Sequence, residues 1–138
     1  MEGSRMYTPI GARGSAAAYR QVDLNSQVLS ASPHGLISIV FTELRTSLMG
    51  ARSAIEQGDV AGKVRLVGKS MRLLDEGLLS ALDMQAGGEL SANLYRLYSY
   101  CLLRLTQANA QSDAAIVDEV LNVLAPVMDG WREIRGQV

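Results

Sequence analysis

A chain of 138 residues, 48% apolar and 20% charged, fits one soluble globular domain long enough to bury a proper core. Thirteen basic residues against fourteen acidic leave a formal charge of −1 with no long block of one sign, so a nucleic-acid partner is not expected. Every apolar-rich stretch meets a charge or a glycine well before the roughly 20 residues a span needs, so no membrane insertion is expected either.

Aromatic residues are only 5%, and Leu, Ala and Val dominate the apolar set, a mixture that suits helices better than sheets. Met1 to Ala18 lacks the apolar centre of a signal peptide. The single Cys101 cannot form an internal disulfide, which fits a reducing cytoplasm. Between Tyr100 and Leu102-Leu103 it reads as a small core residue with nothing in the pattern to activate it.

Residues 1–17, with Gly3, Pro9, Gly11 and Gly14, are expected to form a flexible arm ahead of a helical domain over 18–135. The first long helix is predicted to begin at Ser32-Pro33, serine capping free amides and proline pre-set for the first helical position. Its stripe runs Ile37, Val40, Leu44, Leu48, Ala51, Ile55, and Gly58 closes it before Asp59, the expected cap of the second helix.

The second stripe is Val60, Val64, Val67, Met71, Leu74, Leu78, Leu82, interrupted by Gly62, Gly68 and Gly77. Each glycine costs about 1 kcal/mol against alanine, unless it lets a neighbouring helix approach closely. A break over Asp83 to Gly88 follows, then the third stripe, Leu90, Leu94, Leu97, Cys101, Leu105, Ala108. Ser112 or Asp113 is the candidate cap of the last helix, whose stripe is Ile116, Val120, Leu124, Val127, Trp131, Ile134. Pro126 lies inside it and predicts a kink or a local break. Four helices of about 33 Å with short connections demand antiparallel neighbours, hence an all-α, up-down-up-down four-helix bundle. Leu36, Ile39 and Phe41, with Tyr95, Tyr98 and Leu102, widen the apolar face beyond what a bundle helix needs. The surplus is either added core thickness, which the pattern favours, or a groove for a partner.

No catalytic constellation emerges. His34 is the only histidine, so bundle metal sites built on paired Glu-x-x-His motifs are excluded, and no cofactor is expected. Gly68-Lys69-Ser70 has the ending of a phosphate-binding loop, but five residues separate it from Gly62 where four are required, and no strand precedes it. Glu43, Asp75, Glu76, Glu89 and Glu119 are scattered and read as solvated.

The order of Ala18-Tyr19, Val22, Ser30-Ala31-Ser32-Pro33-His34-Gly35-Leu36, Gly58-Asp59 and Leu82-Asp83 resembles the FliS family of flagellin export chaperones. So does the run Gly87-Gly88-Glu89-Leu90-Ser91-Ala92-Asn93-Leu94 with Leu97-Tyr98 and Tyr100, followed by Leu105, Ala108-Asn109, Asp113, Glu119-Val120 and Trp131. Phe41 is followed by Thr42-Glu43 where many members carry Asp-Gly, and the arm before Tyr19 is longer than expected for the family.

The resemblance implies a bundle with a short N-terminal helical cap, no enzymatic activity, and a cytoplasmic role in type III protein export. The implied partner is the C-terminal segment of flagellin, held along apolar grooves so that it does not polymerise early. The contact residues expected are Tyr19 and Val22 in the cap, Leu36, Ile37 and Val40, and Leu90, Leu94, Tyr95 and Tyr98. For Ile37 and Leu94 core packing is the stronger reading. The loaded complex is expected to dock on the export gate. Two rival readings are a histidine phosphotransfer bundle resting on His34 and a structural helical module that oligomerises, a homodimer included, through the surplus face.

Overall fold

The computed structural model describes Leu24 and residues 32–134. The chain divides into two units, Met1–Leu36 and Ile37–Val138. Among the described residues it is all-helical, with no strand. Helix α1 spans Pro33–Glu56 and α2 spans Val60–Arg72, continued by a π-helical segment at Leu73–Leu79. Helix α3 spans Gly88–Gln111 and α4 spans Ala114–Glu133.

The starts and stops follow local chemistry. Ser32 Oγ accepts from the Gly35 amide at 3.1 Å, and Asp59 Oδ1 from the Gly62 amide at 3.0 Å. Of the two candidates before α4, Asp113 is the cap, its Oδ1 accepting from the Ala115 amide at 2.9 Å. Ser112 instead closes α3 in the left-handed region, at φ 49°. Each such cap contributes roughly 1 kcal/mol.

The second unit has one core. Leu44, Leu48 and Ala51 of α1, Val67, Leu74 and Leu78, Cys101, Leu105 and Ala108 of α3, and Val117, Val120 and Leu124 of α4 are almost wholly buried. Each large side chain there contributes about 1.5–3 kcal/mol. Phe41 and Tyr98, part of the apolar surplus, belong to this core.

Helix α1 meets α2 through Val40 against Gly77, Glu43 with Lys69, Ser47 with Ser70, and Gly50 against Leu66. It meets α4 through Phe41, tilted on Trp131 at 6.4 Å, through Arg45 donating to Met128 Sδ, and through Arg52 paired with Asp118 at 3.0 Å. In both seams the partners' numbers broadly fall as those of α1 rise. Helices α2 and α3, and α3 and α4, also pack together.

Three expectations need correction. The second helix is not one α-helix running to Leu82: it turns π-helical at Leu73 and reaches a turn at Ser80. Pro126 does not break α4, which runs on to Glu133. The proline lies on the exposed side, where water can serve the Asn122 carbonyl that loses its helical donor. Finally, Glu43 is not solvated but buried, paired with Lys69 at 3.1 Å. Of the three glycines in the second stripe, Gly77 marks a close approach, since a Cβ there would stand 2.9 Å from Val40 Cγ1. Gly62 leaves room for the Asp59 cap, and Gly68 meets nothing closer than Arg72, at 3.6 Å.

Candidate functional site

Tyr19 and Val22 lie outside the described residues. Leu36, in the first unit, is exposed at the second turn of α1. Ile37 and Val40, a turn apart on α1, are half-buried against the core, and so is Leu94 of α3. Tyr98 is fully inside at 3% exposure, and burial pushes its phenol up to about 12, with Cys101 adding to the effect. Leu90 and Tyr95 stand in the open, 66% and 47% exposed. The structure therefore gathers Ile37, Val40, Leu94 and Tyr98 into or against the core and leaves Leu90 and Tyr95 to solvent.

Other apolar side chains share that exposure. On α2, Val60 and Val64 are exposed although their spacing placed them in the buried stripe. The buried face of α2 is displaced by part of a turn and runs through Lys63, Val67, Ser70 and Leu74. On α3, Tyr95, Leu102 and Asn109 recur every seven residues and so form one line along the helix. Val60 and Val64 of α2 are in solvent like Tyr95 of α3, while Leu102 is half-buried. Leu103 and Met84 are exposed as well.

Polar groups at the surface form structural links. Glu119 accepts from Arg104 Nε at 2.8 Å and from the Tyr100 hydroxyl. The Tyr100 hydrogen bond first, then Arg104, holds its carboxyl below the usual range. Cys101 is buried, and loss of solvent, with Glu119 adding, pushes its thiol up to about 12, so it is a poor nucleophile. Among the described residues no group of three His, Cys, Asp or Glu side chains could hold a metal ion, and no helix is long and apolar enough to cross a membrane. His34 is buried, at 5% exposure.

Apolar side chains grouped on a helix face are one means by which a helical protein can hold a polypeptide. Among the described residues the chain is thus an all-helical protein that keeps several apolar side chains in solvent. The chain belongs to the flagellar protein FliS family, whose profile matches residues 15–138. It is 41% identical to the flagellar secretion chaperone FliS of Salmonella typhimurium, over 94% of this chain and 93% of that one. Identity is also 41% to the flagellar secretion chaperone FliSB of Pseudomonas aeruginosa, over 82% of this chain and 89% of the relative. With FliS of Bacillus subtilis it is 27%, over 84% and 82%. The family is one of chaperones, not of enzymes.

Proposed function

We propose that this chain is a flagellar secretion chaperone that binds the C-terminal segment of flagellin in the cytoplasm, prevents premature polymerisation and keeps the cargo competent for export. The observation that carries the reading is the family match along nearly the whole chain, joined to apolar side chains exposed on a well-packed scaffold. A free amphipathic segment would associate with its copies; laid against apolar helix faces, it hides that surface at the cost of being ordered.

The contact surface we propose comprises Leu36, Ile37 and Val40, Leu90, Leu94 and Tyr95, with Tyr98 behind them, and Tyr19 and Val22 from a helical cap at the N-terminal side. We add exposed Val60 and Val64 of α2 and half-buried Leu102 of α3 as further candidates. We further propose a domain over 18–135 with up-down-up-down topology, supported by the falling partner numbers along both seams of α1. Residues 1–17 would be a flexible arm. The loaded complex would dock on the export gate, and a homodimer through the same apolar surface would compete with cargo. The phosphotransfer alternative needs an accessible imidazole, and the burial of His34 argues against it.

Calorimetric titration with a peptide covering about the last 40 residues of the cognate flagellin, the scale of a coupled-folding interface, tests the proposal. One-to-one binding with a clearly negative heat-capacity change is expected. No heat at several temperatures, and no complex on gel filtration, would refute it.

A further inference from the structure

The middle of α1 is locked into the core, with Leu44, Ser47, Leu48 and Ala51 all buried. The stretch before it is held differently. Ile37, Ser38, Ile39 and Val40 are only half-buried, so the core does less to fix their orientation. Two grips are visible there. On one side Val40 rests against Gly77 of the π-helical segment. On the other, the Trp131 indole N–H donates to Ser38 Oγ at 3.2 Å, and its ring tilts on Phe41 with the centroids 6.4 Å apart.

Helix geometry sets these grips on either flank of Ile37. At about 100° per residue, Phe41 lies about 60° round the helix from Ser38, Ile37 about 40° further and Val40 about 60° beyond that. Trp131 reaches α1 from the last turn of α4. An indole is large and rigid and carries a single donor, so one hydroxyl partner fixes the plane of its ring. At 3.2 Å the bond is already at the long limit for N–H···O, and turning α1 away from α4 breaks it. The pair therefore selects one rotation of this stretch.

We propose that Trp131 is a positioning residue for cargo binding. It acts through Ser38 and Phe41 rather than by touching cargo, and sets the angle at which Ile37 and Val40 meet a bound segment. A surface already held in the binding orientation need not be ordered when cargo arrives, and affinity is gained by that saving. The inference rests on the reading of Ile37 and Val40 as cargo contacts.

Two substitutions break the same bond from opposite ends. Trp131→Phe removes the N–H and keeps a ring beside Phe41, while Ser38→Ala removes the acceptor. In calorimetric titration with the flagellin peptide, either change should raise Kd about fivefold, the worth of one hydrogen bond. The double variant should bind no more weakly than the single ones, since both remove one interaction. Melting temperatures are measured alongside and the titrations run well below them, so every variant is folded when cargo is added. Arg52→Ala serves as the control. It breaks the α1–α4 pair with Asp118, 3.0 Å long and about three turns further along α1 than Val40, and should leave Kd unchanged. An unchanged Kd in Trp131→Phe or in Ser38→Ala overturns the positioning role, as do additive losses in the double variant or an equal loss from Arg52→Ala. If the natural chain binds no peptide, the cargo reading falls and this role with it; binding that ignores Trp131 and Ser38 strikes the role alone. Should Trp131→Phe not fold, Ser38→Ala against Arg52→Ala still decides it.

Discussion

Lys63 is a charged side chain inside the molecule, and its surroundings explain why it stays there. Its ammonium donates to the Asn109 carbonyl at 2.9 Å and to Ser112 Oγ at 2.7 Å, at the end of α3 where unpaired carbonyls collect partial negative charge. Lys63→Met keeps the aliphatic stem but strands those acceptors, and should cost about 1–3 kcal/mol in chemical denaturation. Ser112→Gly should cost less, because glycine relieves the φ of 49° that serine holds. Tyr98 and Cys101 act at the other end of the pH scale. In the unfolded chain they ionise near 10 and 9; in the folded chain both are pushed to about 12. The folded state therefore favours their protonated forms. That stabilisation is present below pH 9 and is lost as pH rises from 9 to about 12. Cys101→Ala should flatten the lower part of this alkaline decline, measured as the melting temperature against pH.

At the scale of the element, α4 offers a direct check. Pro126 removes a donor from a helix that nevertheless continues, and it sits on the solvent side. Pro126→Ala restores the bond and should stabilise the chain by about 1 kcal/mol or more, seen as a higher melting temperature. Helix boundaries were legible in the sequence because Ser32, Asp59 and Asp113 each act on amides two or three residues ahead. The face of α2 was not legible. Counting apolar residues selects Val60 and Val64, whereas Lys63 and Ser70 occupy the interior through bonds to Asn109, Ser112 and Ser47 that are remote in sequence. The π turn escaped for a related reason. Leu74, Leu78 and Leu82 recur at intervals of four, which an α-helix accepts with slight drift.

The molecule as a whole places its apolar surplus on two sides of one boundary. Phe41 and Tyr98 went inward, while Leu90 and Tyr95 stayed out, and periodicity alone could not divide them because all four lie on helices with wide apolar faces. The family match, by contrast, was legible from the order of short motifs, since it needs no knowledge of which way a side chain points. Exposed Tyr95 should be a principal anchor for cargo. Tyr95→Ala is expected to raise Kd for the flagellin peptide about tenfold, roughly 1.4 kcal/mol, with the helical circular dichroism unchanged.

One buried atom also makes the protein its own reporter. Cys101 is the only thiol in the sequence and has no exposed surface, so a soluble disulfide reagent must await an opening of the surrounding helices. When closing outpaces the chemistry, the colour develops at a rate set by the open fraction. Mixing the unmodified chain with such a reagent, alone or with cargo, would clock that breathing without any label being introduced.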